Sequence, residues 1–350
     1  MQCLCATASD RNIHINQIPM TQAIHHVRKV ITSGFSFSGS SAIHDLLIDH
    51  GATAFPGGEM RIFSSRHSFS AVISEIRRKG KASTRTIDRT VGLLRGNAPG
   101  PNSHFTQSVT VCVRRIRKAF GDYYDLRVDR LHGELCRARD DDALALESCQ
   151  QFVDELCSTL STQTGASTIV FDQGVRPWAL NPLMFYTNAT TLVCRRDVRD
   201  QIIERSRHSL DNSGFQLRMR TQSEKFLDSL QSLETADRVI TVWFEDVITN
   251  LLERRRILAL VGLDATARSG NAFNPIASRR NIGLYRLRPD LAPTVSNEDA
   301  PLLYKNAGWS RRAQTFILDY LHYGASARSN AAGAYTKTKR LEDVSSPSPP

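Results

Sequence analysis

The sequence predicts an α/β fold with a doubly wound, mostly parallel sheet and flanking helices, on three observations. Short apolar runs of strand character alternate with segments of helical period. The first such run leads directly into a Gly/Ser loop and an amphipathic helix, and a later one ends in a charged turn that opens another helix. Open sheets of this kind bind ligands at the carboxyl edge of their strands. A chain of 350 residues with 41% hydrophobic content has enough apolar material for a buried core.

In chain order, Val27–Thr32 reads as the first strand, followed by a helix from Ser41, a helical region over about 68–95 and a Gly/Pro loop at Gly96–Asn102. Helices follow over about 104–120 and 142–162, then a strand at Ser167–Phe171, a helix near 177–187 and a strand at Thr190–Cys194. Helices from Arg199 and Thr221, a strand at Val239–Phe244 and a helix from Asn250 complete the pattern. Residues 1–26 read as a flexible N-terminal segment and 27–323 as one α/β domain with a helical insertion at about 64–165. Residues 324–350, rich in Ala, Ser, Gly and Pro, read as a disordered tail.

The formal net charge of +10 points to an anionic partner. The basic run Arg114-Arg115-Ile116-Arg117-Lys118 lies in a helix, because Val109, Val113, Ile116 and Phe120 recur at helical spacing. It reads as a solvated face, with no aromatic platform, zinc pattern or helix-turn-helix signature, so no nucleic-acid partner is expected. Asp140-Asp141-Asp142 reads as the start of the next helix, where carboxylates favour the positive end of the dipole, and no metal is expected. Seven cysteines without CxxC spacing suit reduced thiols and a cytoplasmic setting, and no run approaches a transmembrane segment. Nothing in the pattern sets an oligomeric state.

The segment from Ile31 to His50 carries the most chemistry. Gly34 and Gly39 bracket four residues and precede Ser40 and Ser41, the spacing of a GxxxxGK[ST] loop whose N–H groups converge on phosphate at a helix N-terminus. On that reading a β-branched side chain at Gly39 would occupy the phosphate position. The triphosphatase lysine is replaced by Ser40, which argues against an ordinary ATP or GTP site.

With its core Ser38-Gly39-Ser40-Ser41, this strand, loop and helix resembles the 5′-phosphosulfate loop of the sulfotransferases, which use 3′-phosphoadenosine 5′-phosphosulfate (PAPS). Where that family has Lys or Arg before the core, this chain has Phe37. Thr190-Thr-Leu-Val-Cys-Arg-Arg-Asp-Val-Arg-Asp200 is similar to the family's 3′-phosphate motif, which implies that Arg196 holds the 3′-phosphate. The motif's serine is Glu204 here. Weaker matches follow in the family's order. Thr168–Gln173 resembles its strand ending in Asp-Lys or Glu-Lys, with Gln173 for the lysine, and Val242–Val247 resembles its Tyr-Glu-Asp-Leu strand. Ser278-Arg-Arg-Asn-Ile-Gly-Leu-Tyr-Arg286 is similar to its closing segment, which implies 3′-phosphate contacts from Arg279 and Arg280.

The resemblance spans about residues 27–290 and implies a PAPS-dependent sulfotransferase, of the bacterial and polysaccharide type, with a carbohydrate or glycolipid acceptor. It places Ser36, Phe37, Ser38, Gly39, Ser40, Ser41, Arg196, Glu204, Arg279 and Arg280 at the co-substrate. Glu59 in Pro56-Gly-Gly-Glu-Met-Arg-Ile-Phe63 is its candidate base, and Arg61 or Arg176 the candidate for the cation lost at Phe37. His44, His67 and His104 are the alternative bases. Two rival functions remain: a P-loop nucleotide kinase or hydrolase, and a sulfotransferase-fold protein that binds PAP (adenosine 3′,5′-bisphosphate) or an anionic polymer without chemistry.

Overall fold

A computed structural model describes residues 27–58, 61–65, 67–97, 104–208, 210, 212–233, 236–268, 272–288 and 302–304. Five strands form one sheet: β1 (Arg28–Gly34), β2 (Thr53–Ala54), β3 (Thr168–Asp172), β4 (Ala189–Arg195) and β5 (Val239–Trp243). Their order is β2-β3-β1-β4-β5, and every pairing is parallel. Val30 of β1 stands opposite Val170 of β3 and Thr190 of β4.

The three central strands, β3, β1 and β4, are buried along nearly their whole length, as a parallel sheet covered by helices requires. Successive β1 side chains divide between two cores: Ile31 joins Phe171 and Val193 on one face, and Val30 joins Val170, Leu192 and Val242 on the other. The second face is covered by α1 (Ser40–Asp49), through Ile43 and Leu47. The first is covered by a layer of helices, and Phe55, stacked on Phe171 with ring centroids 4.8 Å apart, joins the two.

That layer follows β2 and comprises α2 (Arg61–Ser64), α3 (Phe69–Lys79), α4 (Thr84–Leu94), α5 (His104–Phe120), α6 (Asp122–Arg137) and α7 (Asp142–Thr164). The apolar spacing in α5 buries Val109, Val113, Ile116 and Phe120, while Arg114, Arg115 and Lys118 stay exposed. Asp141 caps α7, its carboxylate accepting the Ala143 and Leu144 N–H groups, both at 3.0 Å.

After β4 come α8 (Val198–Arg207) and α9 (Phe215–Gln231); after β5 come α10 (Phe244–Thr249), α11 (Leu251–Leu260), α12 (Pro275–Arg279) and α13 (Leu284–Leu287). Short elements such as β2, α2 and α12 were not expected, and three longer departures matter more. The helix near 177–187 is a single 3₁₀ turn over Asn181–Phe185, where Pro182 suits a helix start but supplies no N–H. α6 has no counterpart in the sequence reading, although Tyr124, Val128, Leu131 and Leu135 bury one face of it; Gly121, at φ +58°, separates it from α5. α9 starts at Phe215, ahead of the expected Thr221, behind a left-handed Gly214. The segments 1–26 and 324–350 lie outside the described residues.

Candidate active site at the carboxyl edge of the sheet

From β1 the chain runs toward β2 at one edge of the sheet, and from β4 it runs toward β5 at the other. The crevice between β1 and β4 is therefore the topological switch point, where such sheets bind ligands. The loop from Phe35 to Gly39 sits there. It folds back on itself: Ser38 donates its N–H to the Phe35 carbonyl at 2.9 Å, and a Cβ on Gly34 would lie 2.1 Å from Ser38 Oγ. Phe37 (φ +59°) and Gly39 (φ +83°) are both left-handed, and no side chain caps α1. The first N–H groups of α1 are thus left facing the loop, the arrangement that attracts an anion.

Gly39 is needed for a reason other than the phosphate position. A Cβ there would lie 2.3 Å from Cδ2 of the buried Phe244, so the residue makes room for the protein's own ring.

Two cavities flank the loop and share Phe37, Gly39 and Ser41. The first, about 550 Å³, is lined by residues 34–41 with Gln173, Arg176, Trp178 and Gln222. Arg176 is the one cation among its described lining residues, and its guanidinium lies 5.8 Å from the Trp178 ring centroid. Gln173 is also left-handed (φ +53°) and donates its amide N–H to Ser40 Oγ. A neutral bond thus joins the end of β3 to the start of α1. Of the three described non-glycine residues with positive φ, two, Phe37 and Gln173, line this cavity, and such backbone strain gathers at functional sites.

The second cavity, about 380 Å³, opens toward α8 and α12 and is lined by Arg196, Glu204, Asp45, Asn274, Ser278 and Asn281, among others. Arg196 is 5% exposed; it donates to the Phe37 carbonyl at 3.0 Å and the Asn281 carbonyl at 2.6 Å, tying the loop to the segment after α12. Asp197 caps α8 through the Arg199 N–H at 3.0 Å and pairs with the Arg199 guanidinium at 2.7 Å. Asp200 accepts the N–H groups of Gly283 at 2.6 Å and Tyr285 at 3.2 Å, and burial raises its pKa. Beneath them Glu245 accepts the Asp197 N–H at 2.9 Å, and burial pushes its carboxyl up to about 7.

The structure brings together Ser36 through Ser41, Arg196 and Glu204. Arg279 and Arg280 do not line the second cavity; Arg279 is half-buried, Arg280 is exposed, and their neighbours Ser278 and Asn281 take the lining positions. Glu59 lies outside the described residues, and Arg61 is described only as the first residue of α2. β2 is two strands from β1, about 10 Å, and its carboxyl end points to the same edge as the loop. Among the alternative bases, His44 lies 3.6 Å from Asp45 on α1, His67 sits in the turn before α3, and His104 opens α5. Sequence reading missed Trp178, Gln222 and Asn281 at the site. Nothing in the local sequence of Trp178 and Gln222 marks them, because long-range packing places them here, whereas Asn281 lies inside the segment Ser278–Arg286 beside the two arginines chosen instead.

Among the described residues, no helix is long and apolar enough to cross a membrane, and no group of three or more His, Cys, Asp or Glu is placed to hold a metal ion. No protein-family model matches the sequence, and no curated protein matches it. Among solved structures, the sulfotransferase domain from the Synechococcus PCC 7002 olefin synthase is similar at 14% identity and a TM-score of 0.35, over 85% of this chain and 94% of that one. At that distance the similarity adds nothing to what the sheet order and the site themselves provide.

Proposed function

We propose that this protein is a cytoplasmic PAPS-dependent sulfotransferase that moves a sulfuryl group to a hydroxyl of a carbohydrate or glycolipid acceptor. The observation that carries this reading is the loop at the switch point, with the first N–H groups of α1 behind it and Arg196 bonded to its Phe37 carbonyl. The 5′-phosphosulfate would lie against Ser38–Ser41 in the larger cavity, and the 3′-phosphate beside Arg196 in the smaller one. In the transfer, the acceptor oxygen bonds to sulfur as the bond from sulfur to the bridging oxygen breaks, and PAP leaves carrying the charge. Arg176, which lines the larger cavity, is proposed as the cation that meets that charge, and Trp178 of the same lining as an apolar face for a sugar ring. Glu59, following the turn after β2, is proposed to take the acceptor proton. Among the described residues the five cysteines, four of them buried, form no disulfide, which suits a reducing compartment.

The test is thermal denaturation of the full chain with PAP, PAPS, ATP and GTP, since a ligand that binds only the native state raises the midpoint. PAP and PAPS should raise it and the triphosphates should not; a shift with ATP or GTP alone sinks the reading and supports a kinase or hydrolase. Glu59→Gln should then lower turnover about 10²–10⁴-fold while leaving PAP affinity unchanged. The non-catalytic alternative is favoured by Phe37, an apolar ring where the family has a cation. It gains if PAP binds tightly and no acceptor is sulfated.

A further inference from the structure

Glu204 stands where the family's serine would contact the 3′-phosphate, and its surroundings explain how a carboxylate is tolerated there. Its Oε2 is 3.8 Å from Arg196 Nη2 and 3.7 Å from Arg207 Nη1, and its Oε1 is 3.8 Å from His208 Nε2. All three contacts exceed hydrogen-bond length. Oε2 is buried yet accepts no hydrogen bond among the described residues, and Arg196 Nε likewise donates none. Arg196 gives two of its five N–H groups to backbone carbonyls, so it keeps donors for an anion. Arg207 and His208 are half or more exposed, stand one turn on from Glu204 at the end of α8, and do not line the cavity.

We propose that Glu204 is a resident stand-in for the ligand's 3′-phosphate: it neutralises Arg196 in the free protein and is displaced toward Arg207 and His208 when the phosphate enters. This rests on the donor reading above. A carboxylate held by charge without hydrogen bonds is cheap to move, whereas one left in place would repel the phosphate. Arg207 and His208 give it a second position on its own helix. Glu204 is then the residue that sets how strongly the site prefers a 3′-phosphorylated nucleotide over one with a free 3′-hydroxyl. Phe37 belongs to the same arrangement, because its ring lies 5.6 Å from the His208 ring and steadies the residue that receives the carboxylate.

The experiment is calorimetric titration of the full chain, its Glu204→Gln and Glu204→Ser variants, with PAP and with adenosine 5′-monophosphate, which differ only in the 3′-phosphate. Both variants should bind PAP about tenfold tighter or more and the monophosphate within about twofold of wild type. Arg207→Ala should weaken PAP in the wild-type background but not beside Glu204→Gln, since the variant has no carboxylate to receive; equal weakening in both backgrounds would make Arg207 a direct phosphate ligand and overturn the displacement. Unchanged PAP affinity in the Glu204 variants, or equal gains for both nucleotides, overturns the proposal. So does a loss confined to the monophosphate, which would make Glu204 a reader of the ribose hydroxyl. If neither nucleotide binds any of these proteins, the donor reading falls and takes this proposal with it, whereas PAP binding that is insensitive to Glu204 removes the proposal alone.

Discussion

Glu75 in the helical layer and Glu245 beneath the loop are both buried glutamates; burial pushes both carboxyls up, and only Glu75 has the donors that reverse it. Glu75 accepts from Lys79 Nζ at 2.8 Å, Ser83 Oγ at 3.2 Å and the Ser83 N–H at 3.3 Å, and the Lys79 bond first among these holds its carboxyl down at about 2. Glu245 loses water without gaining comparable donors, and sits at about 7. Its Oε2 accepts no hydrogen bond among the described residues. The helical layer completes this charge with its own side chains. The carboxyl edge of the sheet leaves charges incomplete around Arg196, Glu204 and Glu245, and there a bound anion changes the balance.

The sharpest way to break this comparison is at Gly39. Gly39→Val sets a β-branched residue at φ +83° with its Cβ against Phe244, and should cost roughly 3 kcal/mol or more, with PAP binding lost as the loop unfolds. Gly51→Ala, at the other end of α1, shares the positive φ (+91°) but meets nothing within 4 Å, and should cost only about 1–2 kcal/mol. Equal midpoints for the two variants would show that Phe244 does not fix the loop.

Next comes Glu245. Its folded pKa of about 7 lies above the unfolded value near 4.5, so the native state binds the proton more tightly over that window. Stability should therefore fall as pH rises from about 4.5 to 7, by on the order of 3 kcal/mol. Glu245→Gln removes that loss, and its midpoint relative to wild type should climb between pH 5 and pH 8. A constant difference across that range would mean that Glu245 is ionised in the folded protein at pH 5.

Arg196 tests the same edge through a ligand. Arg196→Ala should weaken PAP by about 1.5–3 kcal/mol and adenosine 5′-monophosphate by less, because the shorter ligand lacks the 3′-phosphate. Equal losses would assign Arg196 to holding the loop through the Phe37 carbonyl rather than to the phosphate.

The sheet was legible in the sequence because β1, β3, β4 and β5 are short, mostly apolar runs, and these four of its five strands were placed within two residues. β2 was not, since Thr53–Ala54 is a two-residue strand defined only by its pairing with β3. The loop and Arg196 were legible for the same local reason: each follows directly from the end of a strand. Glu204 and Phe37 registered as departures from a family pattern, but the structure shows them to be neighbours through His208, a relation between residues far apart in sequence. Arg279 and Arg280 differ from Arg196 in not lining either cavity. Of the segment from the short helix starting at Pro275, Ser278 and Asn281 line the smaller cavity.

The smallest expected effect closes the comparison from the other side. Glu75 has a folded pKa of about 2, below the unfolded value near 4.5, so its contribution is present above about pH 4.5 and lost as pH falls toward 2. Its partner Lys79 is more than half exposed, which screens the pair and limits the effect to about 1 kcal/mol. Glu75→Gln should thus destabilise the protein at pH 7 and become indistinguishable from wild type near pH 2. Denaturant titrations of Glu75→Gln and Glu245→Gln at pH 3, 5 and 8 should give differences from wild type that move in opposite senses: Glu75→Gln more destabilised from pH 3 to pH 5, Glu245→Gln more stabilised from pH 5 to pH 8. If both variants track wild type in parallel at every pH, donors do not distinguish the two carboxylates and the contrast between the helical layer and the site edge is lost.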